Sequence, residues 1–131
     1  KGGGGRGMII GIGVDVVHVY RLKRWEKIPG LFQRFFHDSE LSAALPRGEA
    51  GILSLAARFA AKEAFGKALG TGLHGFSLKE IAVTNDQHGR PHLQLSGRAQ
   101  EALQEAGGKR AFVSLSHERD NALAVVVIEG D

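Results

Sequence analysis

The segment RFAAKEAFGKALGTG, residues 58–72, decides the fold of this chain and contains its least expected residue. It lies in a predicted helix from about Glu49 to Leu69, which ends at Gly70 because glycine readily adopts the helix-terminating conformation. At 100° per residue, one apolar stripe of this helix consists of Ile52, Leu55, Ala56 and Phe59. Glu63 lies one turn beyond Phe59 on the same stripe, so the sequence predicts a partly buried carboxylate that requires a partner.

Two partners for Glu63 can be read from the sequence. Lys67 lies one further turn along the helix, and a Glu–Lys pair at this spacing is a common stabilising contact. The alternative involves Asp15, in the predicted strand MIIGIGVDVV, residues 8–17. Alternation along this strand puts one set of residues on one face and a second set on the other. The first set is Ile10, Ile12, Val14 and Val16, and the second is Gly11, Gly13 and Asp15. We interpret the two glycines as space cleared beside Asp15 for something to approach.

Two carboxylates from separate elements suit a hard cation. Mg²⁺ typically takes one or two carboxylates and completes its shell with waters and substrate phosphates. Asp15 and Glu63 are therefore the candidate metal ligands, and Lys67 is then free to contact a phosphate. On residue pattern alone, the Glu63–Lys67 pair and the shared metal both remain open.

The other segments predict an α+β domain, because helices and strands occur in runs rather than in strict alternation. The predicted elements after the first strand are a basic helix at about 20–28, a helix at 38–45 that begins with capping residues, the long helix, a hairpin around QHG, a short helix capped by Ser96, and two strands around RDN. The predicted order is β-α-α-α-β-β-α-β-β. We predict one domain over residues 8–131, and interpret residues 1–7 as a disordered glycine-rich tail or an artificial remnant.

The composition and the missing motifs exclude several kinds of site. The chain has no cysteine, which excludes disulfides, thiolate nucleophiles and Cys-ligated zinc. A net charge of +3 suggests an acidic or phosphorylated partner. No stretch approaches the roughly 20 apolar residues needed to span a bilayer, and no signal peptide is recognisable, so an intracellular protein is expected. The sequence also lacks a P-loop, a Gly-x-Ser-x-Gly elbow and zinc-ligand spacing of its histidines.

Four motifs in this order and spacing, GIGVDVV, RFAAKEAFGKALGTG, NDQHGRP and VSLSHE, resemble the holo-[acyl-carrier-protein] synthases. The resemblance to these small 4′-phosphopantetheinyl transferases spans about residues 8–129. It implies an antiparallel sheet packed on the long helix. It also implies Mg²⁺-dependent transfer of phosphopantetheine from coenzyme A to a serine of apo-acyl carrier protein, with release of adenosine 3′,5′-bisphosphate. A cytoplasmic homotrimer that serves fatty acid biosynthesis, with its sites at subunit interfaces, is implied as well.

The resemblance assigns roles to individual residues. It implies that Asp15 and Glu63 bind the metal, that Glu63 is either the general base or only a ligand, and that Lys67 contacts a coenzyme A phosphate. The residues implied to line the coenzyme A site are Arg58, Gly89, Arg90, Pro91 and His117. Those implied to dock the carrier protein are Arg21 and Arg24.

This chain departs from the family pattern in two places. His18 stands where many relatives carry a glutamate, so waters would have to complete the metal shell. The segment PRGEAG, residues 46–51, lacks a basic pair that some relatives use for the 3′-phosphate, and Arg47 is the candidate substitute.

The alternative from another class is a basic RNA- or nucleotide-binding module without catalysis. It is weakened because single-strand binders need exposed aromatic platforms, and Phe112 is the main aromatic residue in a predicted strand. A subunit that binds coenzyme A without turnover is disfavoured because Asp15, Glu63 and Lys67 are all present. We therefore predict no nucleic acid partner and no membrane association.

Overall fold

A computed structural model describes residues 7–131, so nearly all of the tail predicted over residues 1–7 lies outside the described part. The elements are β1 (Met8–His18), α1 (Val19–Glu26), α2 (Leu31–Phe35), α3 (Asp38–Ala44), α4 (Glu49–Leu69), β2 (Ile81–Asn85), β3 (Pro91–Leu95), α5 (Gly97–Glu105), β4 (Gly108–His117) and β5 (Asn121–Gly130). The α+β class and the bounds of α4 agree with the predictions. The predicted order lacks α2, a helix of five residues that is too short to show a helical period.

The long helix α4 packs on a three-stranded antiparallel sheet with the strand order β1-β5-β4. A Cβ atom added at Gly13 would lie 2.0 Å from the carbonyl oxygen of Ala64, and one added at Gly11 would lie 1.9 Å from that of Ala68. The prediction that these glycines leave room for something to approach is confirmed, and what approaches belongs to this chain itself. The α4 backbone occupies that space, because only a residue without a side chain admits so close an approach.

The other face of β1 is apolar and exposed. The exposed fractions are 39% at Ile10, 60% at Ile12, 47% at Val14 and 55% at Val16. Across the sheet, Val127 of β5 lies between Ile12 of β1 and Phe112 of β4, and Phe112 is itself 53% exposed. The predicted alternation is confirmed, but the bulky face of β1 points away from the core of this chain.

Helix α4 is buried around most of its circumference rather than along one stripe. The sheet covers one side, while α1, α3 and β2 pack against other parts of its surface. Its C-terminal end at Gly70 has a φ angle of 83°, as the sequence predicts. Glu63 is half-buried, also as predicted.

Strands β2 and β3 form a separate two-stranded sheet. The start of the predicted first hairpin strand, around Leu78–Glu80, is instead a 3₁₀ turn. Two predicted helix caps are also wrong. Helix α3 is capped by His37, whose side chain accepts from the Ser39 amide, and Ser96 precedes α5 without a side-chain capping bond. The Glu80 carboxylate instead accepts from the Ala99 amide in the first turn of α5.

Candidate active site

Asp15 of β1 and Lys67 of α4 form an ion pair between the sheet and the helix. Lys67 Nζ lies 2.8 Å from Asp15 Oδ1 and donates a second bond to the Val14 carbonyl at 3.2 Å. Lys67 forms no ion pair within 4 Å with Glu63, one turn before it in the described chain. The Glu63–Lys67 pair is therefore wrong, because β1 offers Lys67 a carboxylate and a carbonyl together.

Glu63 has no ion-pair partner within 4 Å among residues 7–131, although it is half-buried. Burial raises its pKa, and the negative charge of Asp15 raises it further. The nearby charges of Arg21 and Lys67 act in the opposite direction. The two predicted metal ligands thus lie close enough to repel each other, and a shared cation would remove that repulsion.

The donor atoms of this cluster fit Mg²⁺ if waters and phosphates supply the rest of its shell. In the part of the chain that the structure describes, no three His, Cys, Asp or Glu side chains are grouped to hold a metal ion. His18 lies exposed at the end of β1 and adds no carboxylate. Asp15 and Glu63 could therefore supply only two protein ligands, and the rest of a cation's shell would have to come from waters or substrate oxygens.

A second part of the predicted site is a pocket of about 290 Å³ between α4, the β2–β3 turn and the end of β4. Four of the predicted coenzyme A residues line it: Arg58, Gly89, Pro91 and His117. Arg47 lines it too, and Ser54 and Asn85 are lining residues that sequence reasoning missed, since no spacing rule identifies them. Arg90 lies instead in a neighbouring groove with Arg110.

Arg58 is held rigidly at the wall of this pocket. Its Nη1 donates to the Val83 carbonyl at 2.6 Å, and its Nε donates to Ser54 Oγ at 3.2 Å. Only 5% of the residue is exposed, and burial lowers its pKa while Glu40 opposes that change. The guanidinium is therefore part of the framework of the pocket as well as its lining.

The turn between β2 and β3 is shaped by Asp86. Its Oδ1 accepts from the backbone amides of Arg90 at 2.9 Å and of His88 at 2.8 Å. The bond from the Arg90 amide, followed by that from His92, lowers the pKa of this carboxyl. Gly89 has a φ angle of 82°, which glycine adopts without strain. The HGRP loop is thus fixed in shape before any ligand binds.

The carboxylate cluster and the pocket lie on different sides of α4. Arg58 and Glu63 are five residues apart, which separates them by about 140° around the helix. Asp15 pairs with Ala124, and Ala124 pairs with Leu115 beside the pocket, so the two regions are two strand spacings apart, or about 10 Å. After the roles that the sequence analysis predicts for them, we call them the metal half-site, which comprises Asp15, Glu63 and Lys67, and the nucleotide half-site, which is the pocket.

Helix α1 presents an exposed basic surface consisting of Arg21, Lys23, Arg24 and the adjoining Lys27. The guanidinium carbon of Arg21 lies 5.0 Å from the centre of the Trp25 ring and 5.7 Å from that of Phe59. Arg21 also lowers the pKa of Glu63, so it belongs both to the basic surface and to the surroundings of the metal half-site. Arg24 lies on the basic surface alone.

Comparison with known proteins identifies the family of this chain. Residues 11–126 match the model of the 4′-phosphopantetheinyl transferase superfamily. The holo-[acyl-carrier-protein] synthase of Treponema denticola is 54% identical over 123 residues, which cover 94% of this chain and 100% of that protein. The chain therefore belongs to the holo-[acyl-carrier-protein] synthases of this superfamily.

Solved structures of the same group share the fold. The synthase of Neisseria meningitidis has a TM-score of 0.82 and 37% identity, covering 92% of this chain and 98% of that one. The synthase of Bacillus anthracis in complex with CoA (3′,5′-ADP) has a TM-score of 0.78 and 32% identity, covering 95% and 99%. This chain is accordingly an enzyme that transfers 4′-phosphopantetheine from coenzyme A to apo-acyl carrier protein, and the non-catalytic nucleic acid-binding alternative is not favoured.

Proposed function

We propose that this chain performs the transfer with Asp15 and Glu63 as the ligands of Mg²⁺ and with the nucleotide half-site as the receptor for the adenosine part of coenzyme A. The observation that carries the proposal is the Glu63 carboxylate, which lies beside Asp15 and has no ion-pair partner among residues 7–131. A cation would relieve the repulsion between these two carboxylates. When bound, Mg²⁺ would neutralise the charge of the pyrophosphate.

The residues of the chain then have separate tasks. The carrier-protein serine oxygen attacks the phosphorus nearer the pantetheine, and the bond from that phosphorus to the oxygen shared with the leaving bisphosphate breaks. We assign Glu63 as the acceptor of the serine proton, directly or through a water, because it is a half-buried carboxylate with no ion-pair partner among residues 7–131. Lys67 is 55% exposed and can turn from Asp15 toward a phosphate oxygen. Arg58, Gly89, Pro91 and His117 hold the nucleotide, and Arg90 contacts it from the neighbouring groove.

The transfer itself can be tested by the mass increase of apo-acyl carrier protein on incubation with coenzyme A and Mg²⁺. Stoichiometric release of adenosine 3′,5′-bisphosphate should accompany it. Binding of coenzyme A without either product would instead indicate a non-catalytic binding protein. We place the reaction in the cytoplasm and in fatty acid biosynthesis, because acyl carrier protein is the substrate. Within residues 7–131, no helix is both long and apolar enough to cross a membrane.

We propose further that the active form is a homotrimer whose sites combine the metal half-site of one copy with the nucleotide half-site of another. Two features support this. The outer face of the sheet is apolar and exposed, as expected of a face that a second copy covers. The two half-sites of one chain also lie on different sides of α4, so a ligand that contacted both on one copy would have to pass around the helix.

Ile12→Glu should break this assembly, because Ile12 is 60% exposed on the apolar face and a charge there would be buried in the trimer. Sedimentation velocity should show monomers, and transfer activity should fall about 100-fold or more because isolated copies lack complete sites. Leu45→Glu is the control, since Leu45 is 42% exposed but lies away from the sheet. A monomeric wild type with full activity would contradict the proposal.

Arg24→Glu should weaken carrier-protein binding about tenfold and leave coenzyme A binding unchanged, because a charge reversal on the basic surface opposes an acidic partner. Surface plasmon resonance with immobilised apo-acyl carrier protein measures the first quantity, and calorimetry with coenzyme A the second. Arg21→Glu should weaken carrier-protein binding more than coenzyme A binding too, but it also lies beside Glu63. Lys79→Glu, at an exposed lysine outside α1, is the matched control.

A further inference from the structure

Two charged residues of the core have no task in the proposed chemistry. Glu40 of α3 and Lys62 of α4 are fully buried, with 0% exposure each. Burial of charges is unfavourable unless each one is paired and hydrogen-bonded. Lys62 also directly precedes Glu63 in the sequence, but its side chain bonds to Glu40 and to two backbone carbonyls.

Lys62 uses all three of its protons inside the protein. Its Nζ lies 2.7 Å from Glu40 Oε1, 2.6 Å from the Ile81 carbonyl oxygen and 2.9 Å from the Leu78 carbonyl oxygen. No proton remains for a phosphate, so the lysine next to Glu63 is a structural group. Its bonds join α4 to the start of β2.

Both carboxylate oxygens of Glu40 also accept hydrogen bonds inside the protein. Its Oε1 also accepts from the His37 amide at 3.0 Å, and its Oε2 accepts from the Val83 amide at 3.0 Å. The carbonyl of Val83 in turn accepts from Arg58 at 2.6 Å. Both backbone polar groups of Val83 are therefore bound by side chains that come from α3 and α4.

These bonds occupy the free edge of β2. Within the described part of the chain, strand β2 pairs only with β3, and the two are not hydrogen-bonded to the larger sheet. Backbone groups at a free strand edge need other partners when they are buried. Glu40, Arg58 and Lys62 supply those partners in place of a third strand. The position of the β2–β3 hairpin against α4 thus depends on three charged side chains.

The hairpin carries one wall of the pocket at its turn, where Gly89 and Pro91 lie, while α4 carries the opposite wall at Arg58. We propose that Glu40 and Lys62 are positioning residues for the nucleotide end of coenzyme A, because they fix the hairpin wall of the pocket relative to the helix wall. This inference rests on the proposed assignment of the pocket to the nucleotide. Neither residue is required to touch the ligand.

The double variant Glu40→Leu/Lys62→Met tests this. It removes both charges together, which a protein core often tolerates, but it deprives the edge of β2 of the bonds from Glu40 and Lys62 and leaves only that from Arg58. We expect the Kd for adenosine 3′,5′-bisphosphate and the KM for coenzyme A to rise about tenfold, while kcat at saturating coenzyme A changes less than about threefold. Amide hydrogen exchange over residues 81–95 should become faster.

Three control variants make the outcome decisive. Leu103→Ala, on the buried face of α5, should lower the Tm without changing nucleotide affinity. An equal loss of affinity in this variant would mean that Glu40 and Lys62 act only through general stability, and it would overturn the inference. Glu101→Gln removes an exposed carboxylate paired with Arg98 and should change nothing. His117→Ala should weaken nucleotide binding directly. Unchanged affinity in the double variant alone overturns this inference, and unchanged affinity in both the double variant and His117→Ala overturns the pocket assignment with it.

Discussion

Glu63→Gln should abolish phosphopantetheine transfer while the protein remains folded. The variant lacks both the proposed metal ligand and the proposed proton acceptor. General base catalysis alone typically contributes 10²- to 10⁴-fold, so we expect a rate loss of at least about 10³-fold. No described residue forms an ion pair with Glu63, so its loss leaves no partner unpaired. The measurement is the mass shift of apo-acyl carrier protein, with the Tm as the test of folding.

The pH dependence of stability, measured in the presence of a chelator, tests independently whether folding raises the pKa of Glu63. Because the folded state raises the pKa of Glu63, the folded protein binds this proton more tightly than the unfolded one. The resulting stability is present below the unfolded pKa of about 4.3 and is lost as the pH rises through the folded value. Glutamine does not titrate, so Glu63→Gln should melt higher than the wild type at pH 7, and this advantage should vanish near pH 4. Near-normal transfer by the variant at saturating Mg²⁺ would disprove the role of Glu63.

Gly13→Ala should have the largest effect on stability. Its Cβ would lie 2.0 Å from the Ala64 carbonyl oxygen and 2.7 Å from the Ala68 nitrogen, both of them backbone atoms of α4 that cannot rotate away. Overpacking of a core costs about 1–3 kcal/mol and occasionally more, and we expect at least about 3 kcal/mol here. Denaturant unfolding measures this free energy. Activity should fall as well, because β1 carries Asp15 and α4 carries Glu63.

The mechanism of this effect can be tested by attempted rescue. Ala64→Gly removes a methyl group but keeps the carbonyl oxygen that causes the clash. The double variant Gly13→Ala/Ala64→Gly should therefore be no more stable than Gly13→Ala. Recovery of stability in the double variant would show that side chains, rather than the backbone, limit the approach of β1 to α4.

Local patterns predicted much of the fold. The bounds of α4 follow from its composition and from Gly70, and the strands follow from their alternation. Alternation cannot tell which face of a strand points inward, however, and β1 exposes its isoleucines because glycine and alanine admit the helix on the other face. The short α2 and the cap at His37 lack the lengths or residue types that such rules recognise.

The site was predictable only in part for a similar reason. Helical spacing placed Glu63 on a buried stripe but could not show that Lys67 reaches across to Asp15. Contacts between distant segments, such as those of Glu40 with Lys62 and Val83, depend on tertiary packing that no local spacing reveals. The metal site, the assignment of the pocket and the trimer remain predictions that the variants above can test.

The separation of the two half-sites by α4 predicts that certain pairs of inactive variants complement each other genetically. If each active centre draws on two copies, a Glu63→Gln subunit still supplies an intact pocket and a His117→Ala subunit still supplies intact carboxylates. Mixed assemblies of two inactive proteins would then contain some wild-type centres, so co-expression should restore growth to a strain that neither allele supports alone. Two defects within the same half-site should fail to complement each other.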